Sequence, residues 1–461
     1  MIEPSTFVAL NRFGLGARPG DVAAMGGNPH GWVLDQIAHG QADPVPGVGD
    51  TPGRLHMVDA FFKAKQEADK LDAARQAALD GTGKPVVPPV VGKPKPGILD
   101  QPPGKVLDAD SARRIDQMVA TDWPVSERLA AFWANHFSVT NLRGEIAVSA
   151  LPYENEAIRP NVFGTFHDML CATAVHPAMT YYLDAASSVG PDSVWGAKHK
   201  RAVNENFARE VMELHTLGVN GGYTQADVQQ LALVLTGVGL DRAAGESAFY
   251  YDRHEPGDRV LLGHRLPADG DQMRAAFDIL ANHPATVRHI CRKLAVHFCG
   301  DMPPPGVVKR LADAWRQSGG ALPAVYRALV AAPEAWVARP LKYRSPQDFV
   351  LAAGRAFGLR GRGRPLLEEM KQLGQMPYGA PAPTGWPDQD SVWLDPGGAV
   401  GRVSSARRIA SLAGPDVDAA GVLPQVVYAT ANSVTFDVVL AEPNPRNAAA
   451  LVLASPEFQR R

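Results

Sequence analysis

Two stretches of the chain place a histidine on the side that a helix would turn inward. On a wheel at about 100° per residue, the segment from Pro124 to Phe137 gathers Val125, Leu129, Phe132, Trp133 and Phe137 into one broad apolar stripe. His136 falls near its middle, while Glu127, Arg128 and Asn135 fall outside it. The segment from Asn204 to Leu217 repeats the pattern. Phe207, Ala208, Val211, Met212 and Leu214 form an apolar arc, and His215 and Asn204 lie within it. Glu205, Arg209 and Glu213 follow at four-residue intervals on the opposite side, the spacing of an ion-pair ladder. Glu210 stands at the border of the arc, where a carboxylate is expected to be part-buried.

A buried polar group without a partner costs on the order of 1–3 kcal/mol, so His136, Asn204 and His215 must find partners. Two readings are open. In the first, each histidine bonds a backbone carbonyl or a neighbouring helix and only fixes the packing register. In the second, His136, His215 and Glu210 converge, joined by His254 from further along the chain, to bind a divalent metal. Glu210 and His136 would then also be the acid–base groups. Imidazole and carboxylate ligands suit zinc, manganese or iron, and such an ion polarises a substrate oxygen or activates water. The activity expected on that reading is a metal-dependent, hydrolase-like one; on the first reading it is a non-catalytic scaffold that binds a partner. The pattern is Glu210-x-x-Glu213-x-His215, not the Glu-x-x-His or His-Glu-x-x-His spacing that sets ligands on one helix face. Glu213 and His215 would point about 200° apart on an ideal helix, so a metal site needs more than one helix.

Other motifs carry less. The run from Gly14 to Gly20 resembles a phosphate loop, but no strand precedes it and no Gly-Lys-Ser/Thr follows; a turn with exposed arginines is expected. No Gly-x-Ser-x-Gly elbow occurs. His254-Glu255-Pro256 reads as a turn. Trp386 and Trp393 are expected to pin an irregular passage to the helical body, with carbohydrate stacking as a third functional option. Cys171, Cys291 and Cys299 show neither disulfide nor thiolate-metal spacing and read as small buried residues.

The elements that must position these groups are mostly helices. Of the 461 residues, 45% are apolar and 20% charged, enough for a substantial core. Basic and acidic residues number 46 and 48, a balance that offers no footprint for nucleic acid. No apolar run reaches the roughly 18 residues of a membrane span, and the start lacks a signal-peptide pattern, so a cytoplasmic location is expected. Residues 1 to about 82 read as helical. The stretch 83–105 contains seven prolines and is expected to be an extended insertion or linker. From Asp108 to about Gly239 helix follows helix; Thr224 with Asp227 has capping-box spacing. Residues 248–263 read as a β-hairpin turning at Glu255-Pro256-Gly257-Asp258, and 374–398 as an irregular Gly/Pro/Trp loop. The fold expected is mainly α, a multi-helical orthogonal bundle with one small β-hairpin, as one domain over 1–461.

Several segments together resemble the bacterial family called domain of unknown function 1800. They are LNRFGLGARPG near the start, ERLAAFWANHF at Glu127–Phe137, NENFAREVMELHTLGV at Asn204–Val219, GGYTQADVQQLALVLTG at Gly221–Gly237, HPATVRHICRKLAVHF at His283–Phe298, GWP at Gly385–Pro387 and the terminal SPEF. The resemblance runs in order over nearly the whole chain. It implies a mostly helical protein, and it supplies no catalytic residues, cofactor or substrate. Many members are exported and encoded beside a second family resembling sulfatases, which implies a protein partner of that kind. At Tyr182-Leu183-Asp184-Ala185 the chain departs from the family, which would place Asn after the Asp.

Overall fold

The computed structural model describes residues 2–79, 98–339, 342–427 and 434–461. Most of the proline-rich stretch 83–105 lies outside the described residues; from Pro103 onward the chain is already helical.

Proline starts many of the helices. Pro29–Ala38, Pro103–Ala120, Pro124–His136, Pro284–Cys299 and Pro346–Ala356 each carry proline in the first turn, where its missing N–H leaves no bond unmade and its fixed φ suits the helix. Side-chain caps add to this. Ser345 Oγ accepts from the Asp348 amide at 3.2 Å, and Thr224 and Asp227 form the reciprocal capping box that their spacing predicts. The protein is mainly α-helical.

Among the described residues the strands form two small antiparallel pairs instead of one hairpin over 248–263. Strand β1 (Val238–Asp241) pairs with β2 (Glu246–Phe249), and β3 (Arg259–Leu261) with β4 (His264–Leu266). Glu255-Pro256-Gly257-Asp258 joins the two hairpins and is the turn of neither. The tight turn falls instead at Leu262-Gly263, both at positive φ (51° and 80°), as a two-residue type I′ connection requires. Leucine rarely adopts that conformation, so no local residue pattern marks a turn there.

One continuous apolar core takes residues from Val8 to Phe458. Near its centre the indole of Trp133 stacks on Phe137 and donates to Tyr326 Oη at 2.6 Å. Tyr326 in turn donates to the Val162 carbonyl at 3.0 Å, so both polar handles are satisfied. The wheel treats the other side of the Pro124–His136 helix as the solvent side, and the structure reverses this. Glu127 and Arg128 are buried because charged groups from other helices meet them. Arg159 bonds Glu127 (2.8 and 3.0 Å) and Glu154 (2.8 and 3.1 Å). Arg114 Nε adds 2.8 and 3.0 Å contacts to Glu154, and Tyr378 Oη donates to it at 2.7 Å.

The arginines near the start are not exposed either. Arg12 is buried and donates to the carbonyls of Ala335 and Arg339. Arg18 bonds the Ala120 carbonyl and pairs with Asp21 and Asp122. The glycine turn itself docks helices: the Gly14 carbonyl accepts from Arg128 Nε and the Gly16 carbonyl from Arg355 Nε. Gly16 has φ 109°, and a Cβ there would lie 2.9 Å from the Ala352 backbone, so only glycine permits the approach.

Candidate functional site

The Pro124–His136 and Pro284–Cys299 helices, the start of the Pro346–Ala356 helix and the loop around 384–389 enclose a cavity of about 520 Å³. That lies within the range of small-molecule sites, about 300–1,000 Å³. Arg128, Asn135 and His136 face it from the first helix, His289, Arg292, Lys293 and His297 from the second, and Asp348 and Asp388 from the rest.

Residues 289, 293 and 297 are four apart, so a helix sets them on one face; the same rule aligns Arg128, Phe132 and His136. The loop is held by Asn135, whose side chain accepts from the Trp386 amide (2.7 Å) and donates to the Trp386 carbonyl (2.9 Å). Gly385 makes this clamp attainable. Its φ is 78°, and a Cβ there would fall 2.2 Å from the Asn135 carbonyl oxygen. Gly385→Ala is expected to cost roughly 1–3 kcal/mol and to release Trp386. Thermal unfolding and tryptophan emission read this, and unchanged values for both would refute the clamp. The Trp386 indole donates to the Met376 carbonyl and that of Trp393 to the Pro387 carbonyl, so both rings hold the passage in place.

Three polar groupings line the cavity. In the first, His297 Nδ1 donates to Asp388 Oδ2 at 2.9 Å. Burial acts to raise the Asp388 carboxyl, but His297 and Lys342 outweigh it and hold it at about 2. The carboxylate is therefore a fixed anion that orients the ring. Burial lowers His297, with Asp388 opposing. Its Nε2 has a long 3.5 Å contact with Arg128 Nη1. The second grouping is Asp348 between Arg128 (3.1 Å) and Arg461 (2.8 Å). In the third, Lys293 Nζ donates to His136 Nδ1 at 2.9 Å. His136 Nε2 lies 3.1 Å from the His215 carbonyl; it must be the protonated nitrogen, because a carbonyl can only accept. Burial brings Lys293 down to about 8, with Asp388 opposing, and burial then Lys293 holds His136 well below its usual value. Among the described residues no carboxylate lies within ion-pair distance of Lys293.

The residues singled out from sequence are only partly brought together. His136 and His215 are both buried, with ring centroids 6.2 Å apart. His215 closes a π-helical turn, Val211–His215, so the wheel at an α-helical pitch does not hold there. Burial lowers His215 to about 3. Asn204 points to the surface side, bonding Ser187 Oγ and capping the Asn206 amide. Glu210 is half-buried with a raised pKa, first from burial and then from Glu213, and it does not line the cavity. His254 sits in the connection between the hairpins and bonds the Thr236 carbonyl at 2.9 Å. Among the described residues no three His, Cys, Asp or Glu side chains are grouped so as to hold a metal ion. The ion-pair ladder of Arg209 with Glu205 and Glu213 forms, at 3.2 and 3.5 Å. Sequence reasoning passed over Lys293, His297, Asp348 and Asp388. The four-residue spacing of His289, Lys293 and His297 was the available signal.

The fold and cavity together define a mainly helical protein with a polar, ligand-sized site, in which no described helix is long and apolar enough to cross a membrane. The chain belongs to the family described as Protein of unknown function (DUF1800), whose family model matches residues 8–460. No curated protein and no solved structure matches it.

Proposed function

We propose that the protein is an enzyme acting on a small molecule in this cavity, with His297 as the base that moves a proton. The observation that carries this is the Asp388–His297 pair in the wall of a ligand-sized cavity. Asp388 receives Nδ1–H and fixes the tautomer, which leaves the Nε2 lone pair as acceptor. Burial keeps the imidazole neutral, the form a base needs. Arg128, 3.5 Å from Nε2, supports an oxyanion that develops beside it. Three of the segments on which the family resemblance rests, at Glu127–Phe137, His283–Phe298 and Gly385–Pro387, supply the walls.

The test is a turnover screen of small esters, acids and carbonyl compounds, run in parallel on the wild type and Asp388→Asn. A true substrate should lose about 10²–10⁴-fold in kcat in the variant, because the asparagine no longer holds the imidazole in its working tautomer. A substrate turned over equally by both places the chemistry elsewhere.

A second reading, a partner-binding scaffold, has one observation in its favour: His136 is satisfied by the His215 backbone carbonyl, as a residue that only sets packing would be. No turnover across the panel, with the variant merely less stable, would favour it. The metal-dependent reading has less support, since Glu210 and His254 stand apart from the two central histidines.

A further inference from the structure

We infer that Lys293 is a nucleophile that forms an imine with a small carbonyl substrate, preferably one bearing an acidic group; this rests on the reading of His297 as the base. The geometry that points to it is the placing of one amine among particular neighbours. Lys293 lines the cavity, has no carboxylate within ion-pair distance among the described residues, and has the lone pair of His136 Nδ1 2.9 Å from its Nζ. A buried structural lysine pairs with a carboxylate, as Lys342 does with Asp301 at 2.7 Å. Lys293 instead faces a histidine whose other nitrogen is committed to the His215 carbonyl, so Nδ1 is free to accept a proton and return it. His297 stands one helical turn further along the same face and lines the same cavity. Arg292, also on the wall, supplies a cation for the acidic group.

The steps balance as follows. The neutral amine attacks the carbonyl carbon, the N–C bond forms, and the nitrogen passes one proton to His136 Nδ1. The C–O bond then breaks, and the oxygen leaves as water with that relayed proton and one from solvent, which gives the protonated imine. The imine acidifies the neighbouring C–H bond. His297 Nε2 takes that proton, the electron pair moves into a carbon–carbon double bond to give the enamine, and reprotonation at carbon restores the imine.

The experiment treats the full chain with pyruvate or with propanal in deuterated buffer, traps imines with cyanoborohydride, and maps the products by peptide mass spectrometry. Lys293 is expected to be labelled at least about tenfold faster than any surface lysine, with pyruvate ahead of propanal. Lys293→Met and Lys293→Arg, each checked for folding by circular dichroism, should lose that adduct. In the wild type the methyl hydrogens of pyruvate should exchange for deuterium; in His297→Gln the adduct should form without exchange. Labelling of Lys293 no faster than of surface lysines, with both probes, overturns the imine. Labelling of Lys293 with equal exchange in His297→Gln keeps the imine and removes His297 as the base.

Discussion

Replacing Glu154 by glutamine is expected to lower unfolding stability by about 3–5 kcal/mol at neutral pH, measured as the shift of a urea or thermal transition. Glu154 is buried between Arg114 and Arg159 and also accepts from Tyr378. Burial works to raise its carboxyl, yet the two guanidinium groups hold it below the usual range. Removing its charge leaves Arg159 with Glu127 alone and Arg114 with no carboxylate in ion-pair contact among the described residues. Coulombic repulsion then acts in a medium that screens poorly. The contrast is Asp313, partly exposed at the surface and paired with Lys309 and Arg316. Water screens both pairs, so Asp313→Ala should leave the transition almost where it was. If the two variants shift it equally, the buried network does not hold the fold as described.

Asp348→Asn is expected to have an effect of the same size, about 3–5 kcal/mol, with a pH signature of its own. Asp348 joins Arg128 to Arg461 across the inner wall of the cavity. Burial acts to raise its carboxyl, but Arg128, Arg461, His297 and Arg344 outweigh it and depress it far below the ordinary range. A depressed folded-state value means that the unfolded chain binds the proton more readily. The stabilisation is therefore complete above the unfolded value, near pH 4, and is lost as pH falls below it toward the folded value. Wild type and Asp348→Asn should differ most at neutral pH and converge on acidification below about pH 4. Denaturation midpoints measured for both at several pH values check this. Curves that stay parallel to pH 2 would assign the effect to packing, not to the carboxylate charge. Because Asp348 and His297 line the same cavity, acid should also loosen the site before it unfolds the core.

How far these groups were legible in the sequence differs from case to case. The helix at Pro124–His136, the capping box at Thr224 and Asp227 and the inward histidines all follow from local rules. Such rules need only the neighbouring residues: proline tolerates a first turn, a threonine oxygen accepts from an amide three residues on, and a four-residue repeat selects a face. The same rules put Lys293 and His297 on one side of their helix, but gave no reason to prefer that side to any amphipathic surface. The hairpin at 248–263 was misplaced because strand pairing is a contact between chain segments, and the Leu262-Gly263 turn is held in shape by the pairing on either side of it.

What the sequence by itself determined is the mainly helical class, the family, and which residues share a face where the helix keeps a regular α pitch, as at Pro124–His136 but not at Val211–His215. What only the tertiary structure decided is what each face meets. Arg128 and Glu127 read as solvent-facing until Asp348, Arg159 and the helices carrying them close over that side. Asp388 lies in an irregular loop with no periodicity to mark it, and it becomes the partner of His297 only because Asn135 and Gly385 fix the loop's path. Glu210 and His254 have the right chemistry for a metal but not the position. Helix geometry is set by bonds between near neighbours, whereas burial, and with it the shifted pKa values in the cavity, is set by segments far apart in the chain, as His297 and Asp388 are at 91 residues and His136 and Lys293 at 157.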